Sequence, residues 1–366
     1  MRVAWLACVL LGGCGSLAPT TGWRGLTVGS DHACALHGDR VYCWGENGVG
    51  ELGVGPWRGH RYTLLEPLPR WSPARVAGRG WTGVGASDST TCGVRRGRLY
   101  CWGDGAEIDG FLGVEREVFR HPVRIDARDD WRTITPGMHP CGTLADGQLR
   151  CLRYSIGERD RMDRLGRSTG WSALVASNKT SAGILHGRLW VWEPSDPQQA
   201  VMVPGARPWL DVAAGDGHTC GIQEGGELYC WGDNEYGQLG DGTTTGRDAP
   251  QRIGAGWSDV SAGGQHTCGI REGQLYCWGV LAIGLPHDSN VDMWHRPPTV
   301  TPRLADPQRD WIAVEASEYL VCGLRAGGRI ACRAVPLYRM DAARRPERPD
   351  EAVPTSLAPP GTRRGS

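Results

Sequence analysis

Lysine is almost missing from this sequence: Lys179 stands alone, and the rest of the 40 basic residues are arginines, matched by 40 acidic ones. A neutral chain with no basic excess is not built to hold nucleic acid on a charged face. Phenylalanine is scarce too, at 2 residues, which together with the arginine preference reflects GC-rich coding more than structure. Long apolar runs are absent, and the Val3–Leu11 stretch is too short to cross a bilayer. Helical periodicity is missing as well. There is no His-Glu-x-x-His, Walker phosphate loop or sialidase Asp-box, so zinc-protease, nucleotide-phosphate and sialidase chemistry have no motif here; no cofactor and no metal are expected.

What the chain has in quantity is glycine, at 55 residues, tryptophan, at 17, and internal repetition. Seven segments open on a tryptophan: Trp23, Trp81, Trp131, Trp171, Trp209, Trp257 and Trp311. Each continues with an apolar position, a small residue and two short strand-like runs joined by a tight turn. The fifth is the clearest. Cys220-Gly221-Ile222 and Leu228-Tyr229-Cys230-Trp231 flank Glu224-Gly225-Gly226, and the pair reads as a β-hairpin. Phrases such as Pro73–Val76, Pro122–Ile125 and Pro250–Ile253 add a strand before most of the openings. Four short strands repeated seven times imply an all-β fold, a seven-bladed β-propeller of four-stranded blades.

The cysteines agree with the hairpins. Cys34/Cys43, Cys92/Cys101 and Cys268/Cys277 are nine residues apart and leave two-residue turns, Gly38-Asp39, Arg96-Gly97 and Glu272-Gly273. Cys141/Cys151, Cys220/Cys230 and Cys322/Cys332 are ten apart, and each tip gains a residue and a glycine. Spacing and turn chemistry change together, which keeps each pair opposed within reach of a disulfide. The fourth copy loses both cysteines at once, to Ala182 and Val191. Six within-copy disulfides are therefore expected, with six pairs of reduced core cysteines as the alternative.

Residues 1–14 have the form of an export signal: Arg2, the apolar stretch Val3–Leu11, and Leu11-Gly12-Gly13-Cys14. That tetrapeptide resembles the bacterial lipobox, in which the cysteine becomes the lipidated first residue; an ordinary secretory signal cut nearby is the alternative. Fourteen cysteines then divide into Cys8 in the signal, Cys14 for lipid and twelve in hairpins. The expected layout is a signal over 1–14, a linker over 15–22, the propeller over 23–341, and a disordered Pro/Arg-rich tail over 342–366. A fourth strand for the last blade could come from Ser16–Pro19, Val335–Arg339 or Ala352–Leu357. The expected location is the cell envelope of a bacterium, at the outer membrane.

The phrases His218-Thr219-Cys220-Gly221-Ile222, Leu228-Tyr229-Cys230-Trp231-Gly232-Asp233-Asn234 and Gly237-Gln238-Leu239-Gly240-Asp241-Gly242 resemble the regulator of chromosome condensation repeat. The motif is strongest in copies one and five, partial in two and six, and decayed in three, four and seven. The resemblance implies a seven-bladed propeller. Members of the family include a nuclear nucleotide-exchange factor and a secreted bacterial β-lactamase inhibitor, both of which act by binding protein. Paired cysteines depart from the nuclear members and suit an exported bacterial branch.

Candidate sites fall into three groups. His32, His139, His218 and His266 precede the first cysteine of their hairpins, with Thr90, Thr180 and Leu320 at that position elsewhere; they read as hydrogen-bonding residues that organise blades, not as metal ligands. Asp233–Gly242 mixes carboxylates and glycines but lacks a calcium-loop order, and reads as a tight connection. Asp88, Glu107 and Asp216 could converge at a ring mouth. Two insertions carry residues the repeat does not need: Trp57, Arg58, His60, Arg61, Tyr62 and Trp71 in one, Trp294, His295 and Arg296 in the other. These residue types dominate binding hot spots. Both insertions join a third strand to a fourth, so both leave from one face. The leading expectation is a non-catalytic, lipid-anchored, protein-binding propeller with an unknown envelope partner. Carbohydrate binding is the alternative, and a lyase or hydrolase at the mouth a lesser one.

Overall fold

The computed structural model describes residues 22–55, 70–104, 118–135, 140–151, 168–177, 179–194, 196–280, 298–318 and 320–334. Every element in them is a β-strand. The fifth copy shows the unit: Trp209–Ala214, His218–Gln223, Glu227–Gly232 and Arg247–Gly254 form an antiparallel meander in that order. Its hairpin is in the register that the cysteines require, with Cys220 opposite Cys230. Two of the three two-residue turns between paired cysteines share one conformation. Arg96 and Gly97 have φ of 52° and 77°, and Glu272 and Gly273 have 52° and 76°, positive at both central positions as a type I′ turn demands.

All six disulfides form within copies, with Cα atoms 3.9 to 4.1 Å apart. Their packing explains why the cysteines recur. Cys220, Cys230, Ile222 and Leu228 bury against Trp257 and Val260 of the next copy. Cys34 and Cys43 lie against Trp81, Cys92 and Cys101 against Trp131, and Cys268 and Cys277 against Trp311. Each bridge thus sits at the seam between neighbours, under the tryptophan that opens the following copy. Copy four fills the same seam with Ala182, Ile184 and Leu189 beneath Trp209. Cys322 and Cys332 pack on Trp23, Leu26 and Val28, so the last copy closes on the first.

The tryptophan also dictates the glycine that follows most first cysteines. A Cβ at Gly221 would stand 2.8 Å from the Trp209 ring, and one at Gly269 3.0 Å from that of Trp257. The ring meets two aromatic residues of the third strand edge-on or tilted, Tyr229 at 5.8 Å and Trp231 at 6.1 Å between centroids in copy five.

The expected set of seven four-stranded blades is not what is formed. Among the described residues copies one, two, four, five and six make four-stranded sheets and copy seven a three-stranded one, which gives six blades. In copy three the described residues supply only the paired strands Cys141–Thr143 and Leu149–Cys151. Pro140 is one cause. In other copies the second strand begins two residues before its cysteine, whereas here the residue ahead of Cys141 has no N–H to give a ladder. The first strand is also interrupted. The Trp131 segment keeps the two-for-one bulge that follows the opening tryptophan in most copies, with the Arg132 and Thr133 N–H groups both directed at the Thr143 carbonyl at 2.7 and 3.3 Å, but pairs only through isolated bridges at Trp131 and Thr135. The three segments offered for the missing strand of copy seven lie outside the described residues. So do the signal, Cys14 and the tail.

Candidate functional site: the axial mouth

The first strand of each blade lies at one edge of its sheet, and these edges face one another around the ring axis. No ladder joins them. Side chains reach across to the next copy's backbone instead: the Ala86 N–H donates to Thr27 Oγ1 at 2.9 Å, Val260 to Asp211 Oδ2 at 3.3 Å, Val314 to Asp259 Oδ2 at 2.6 Å, and Ala316 to Ser261 Oγ at 2.8 Å. Two of these clasps are half-buried carboxylates of the inner wall, and Glu315 stands on the next first strand. Burial raises all three carboxyls above the ordinary range, and the charge of Asp211 adds to the effect on Asp259 and Glu315; Glu315 is pushed up to about 8.

Where the first strands end, six copies surround a cavity of about 100 Å³ on the axis, walled by short residues such as Gly29, Ala86, Gly215 and Gly263. Acidic side chains collect there. Asp88 accepts from Ser30 Oγ at 3.0 Å, and its carbonyl takes the Ser30 N–H at 3.1 Å, which fixes copy two to copy one. Burial first, and then the Asp88 charge, raise Asp31 and Asp216 above the usual carboxylate range, while Lys179 pulls Asp216 back down. Gly264 lies between Asp216 and one more acid, Glu318. A Cβ on it would come within 3.4 Å of Asp216 Oδ2 and 3.3 Å of the Glu318 side chain. Asp88, Asp216 and Glu318 therefore bring carboxylates from three copies to one opening, with Asp31 close to Asp88 and Lys179 close to Asp216.

Of the residues that sequence placed at such a mouth, Asp88 and Asp216 are there and Glu107 lies outside the described residues. Asp31 and Glu318 were missed, as were the inner carboxylates. A signal existed for two of these: Asp211 and Asp259 both stand two residues after an opening tryptophan.

The histidines do something else. His32 Nε2 is 2.7 Å from Thr91 Oγ1, and His218 Nε2 2.8 Å from Thr267 Oγ1, across the seams between copies. Each threonine hydroxyl already donates onward, Thr91 to the Glu51 carbonyl and Thr267 to that of Gln238, so the imidazole Nε2 is the donor. The same carbonyls take the indole N–H of Trp102 and Trp278, both at 2.8 Å. Burial lowers His32 to about 4, His218 to about 3 and His266 to about 4. His266 lacks the relay because Val321 replaces the threonine in copy seven, and its Nε2 has no partner. His139 lies outside the described residues. Among the described residues no group of three or more His, Cys, Asp or Glu side chains is placed to hold a metal.

The Asp233–Gly242 stretch is closed by Asn234, whose Nδ2 donates to the Thr243 and Thr245 carbonyls and whose Oδ1 accepts from Leu239. Asp241 is taken by Thr243 and by Arg247 at 2.7 Å. Gly166-Arg167-Ser168-Thr169-Gly170 matches the lettering of a nucleophile elbow, but an elbow turns from strand into helix, and here the strand Trp171–Ala176 follows. Trp57, Arg58, His60, Arg61, Tyr62, Trp294, His295 and Arg296 lie outside the described residues. Trp71 falls in the strand Arg70–Arg75, and its side chain is likewise outside.

Residues 209–238 and 225–270 match two models of the regulator of chromosome condensation repeat. The chain carries regulator of chromosome condensation repeats. Among curated relatives it is 29% identical over 266 residues to the E3 ubiquitin-protein ligase HERC2 of Mus musculus, covering 62% of this chain and 5% of that protein. It is 26% identical over 240 residues to the human RCC1 domain-containing protein 1, covering 65% of this chain and 51% of that protein. The chain thus spans about half or less of the length of these relatives, and the ligase activity named for the first belongs to that protein. The crystal structure of human WBSCR16 superposes with a TM-score of 0.64 over 81% of this chain and 88% of that one, at 14% identity, a likeness of fold alone.

Proposed function

We propose that this regulator of chromosome condensation repeat protein is a non-catalytic, protein-binding propeller of an exported bacterial branch, anchored in the envelope through Cys14. It meets its partner with the face on which the axial mouth opens. The third copy's hairpin serves in this reading as the seventh blade position, since Cys141 and Cys151 pack beneath Trp171 as other bridges do beneath theirs. The observation that carries the proposal is the gathering of Asp88, Asp216 and Glu318, with Asp31 close to Asp88, at one opening around a hydroxyl-lined cavity too small for a metabolite, an acidic field suited to a docked protein.

The meander supports the same face. In an antiparallel blade the connections from first to second strand and from third to fourth leave from one end of the sheet. The insertions bearing Trp57, Arg58, His60, Arg61 and Tyr62, and Trp294, His295 and Arg296, therefore depart from the end that carries the mouth, where aromatic and arginine anchors would flank an acidic centre.

The test is capture of envelope protein by the purified mature chain and by an Asp88→Asn/Asp216→Asn/Glu318→Gln variant. A partner recognised at the mouth is expected to be held about tenfold or more less tightly by the variant and to lose its sensitivity to salt. Equal capture by both proteins would refute the mouth as the docking centre.

A further inference from the structure

The opposite end of copy two holds a second and differently charged feature. Its hairpin turn, Arg95 to Arg98, and the connection 76–80 enclose a cleft of about 240 Å³ lined by Gly78, Arg79, Arg95, Arg96, Arg98 and Tyr100. Four guanidinium groups converge in a chain whose net charge is zero. Among the described residues, the side chains of Arg79, Arg96 and Arg98 have neither an ion pair nor a hydrogen bond. That is unlike Arg128, Arg247, Arg252 and Arg325, each of which is held by a carboxylate.

The cleft is built, not incidental. Arg95 is fixed by aromatics: its guanidinium carbon lies 4.4 Å from the Tyr100 ring centroid and 5.2 Å from that of Trp81, and its Nη2 donates to the Tyr100 hydroxyl at 3.1 Å. Two glycines keep the floor open. A Cβ on Gly78 would fall 2.3 Å from Arg95 Nη1, and one on Gly80 3.0 Å from Arg96 Nε. Both have positive φ, 96° and 82°, which makes any side chain there strained as well as obstructive.

We propose that this cleft binds a phosphate monoester. Guanidinium groups give planar forks of N–H donors that match tetrahedral oxyanions in pairs, and donors without acceptors of their own can accept a dianion. Stacking holds Arg95 in place before the ligand arrives, which reduces the ordering cost of binding. The cleft is larger than an inorganic ion, so an esterified group has room beside the phosphoryl oxygens. The site is on the rim away from the acidic mouth and is independent of the protein-docking reading.

The experiment is a calorimetric titration of the mature chain with inorganic phosphate at constant ionic strength, against chloride. It is paired with flotation on phosphatidylcholine vesicles with and without phosphatidic acid, for wild type and an Arg79→Gln/Arg96→Asn/Arg98→Gln variant. Asn is chosen at 96 because it tolerates the left-handed φ of that turn. Saturable phosphate binding that weakens about tenfold or more in the variant is expected, with an unchanged thermal midpoint in chloride. Added retention on phosphatidic acid vesicles assigns the phosphoryl group to a lipid; phosphate binding without it assigns a soluble ester. No phosphate binding beyond chloride, or binding equal in the variant, overturns the site. Should the triple variant not fold, Arg79→Gln alone, in the connecting segment, gives the same comparison.

Discussion

Incubated with dithiothreitol, the chain is expected to lose its native structure outright, with collapse of the near-ultraviolet circular dichroism of its tryptophans. Each bridge closes a short hairpin and contributes roughly 2 to 3 kcal/mol by restricting the unfolded chain. Six of them supply on the order of the whole stability of a domain, about 5 to 15 kcal/mol. Their position deepens the effect. Each sulfur pair is buried at a seam under the next tryptophan, so opening one exposes the packing of two neighbours. Replacing a single pair as copy four has done, with Cys220→Ala and Cys230→Val, is expected to cost about 2 to 3 kcal/mol in chemical denaturation and leave the fold intact. A reduced chain that kept its oxidised thermal midpoint would show the bridges to be incidental.

Stability is also expected to fall as pH rises from about 6.5 to 8, by on the order of a few kcal/mol, and Glu315→Gln is expected to flatten that fall. The folded state holds the Glu315 proton up to about 8, against 4.5 for the free group, and Asp211 and Asp259 are raised as well. A raised carboxyl contributes stability that is complete below its unfolded value and lost as pH climbs through its folded one. The buried histidines act with the other sign. His32, His218 and His266 stay neutral in the fold down to about 4, 3 and 4, so they cost stability as pH drops below 6.5. Between 4.5 and 6.5 the two sets oppose each other. Above 6.5 only the carboxyls titrate, which isolates them. Denaturation midpoints at pH 6.5 and 8.5 for wild type and Glu315→Gln settle the matter: parallel behaviour would remove Glu315 from the inner wall's proton balance.

The parts of this molecule legible in its sequence are those fixed by local geometry. Cysteine spacing and turn residues changed together, so Cys34/Cys43 and Cys220/Cys230 could be paired before any fold was known. The glycine after most first cysteines was visible as a motif, but its reason, the face of the opening tryptophan, needed packing. Copy three was over-read. Its tryptophan and cysteine pair promised a full blade, while Pro140 cuts the second strand short and the Trp131 segment pairs only through isolated bridges. The mouth was half legible, because Asp88 and Asp216 stood out as carboxylates the repeat does not need, whereas Glu318 and Asp31 enter only when closure brings copy seven and copy one beside them. The arginine cleft had no sequence signal beyond Arg95-Arg96 and Arg98 in one turn; Arg79 joins them across the connection from the previous copy.

The central claim is that one face of the propeller docks a protein, and photo-cross-linking from two ends of a single blade tests it. A photoreactive residue in place of Asp216 sits at the mouth; one in place of Glu224 sits at the far end of the strand His218–Gln223. On intact cells, a saturable, salt-sensitive protein adduct from position 216 and none from position 224 is the predicted result. The same adduct from position 224 but not from 216 would place the partner on the wrong face and contradict the account.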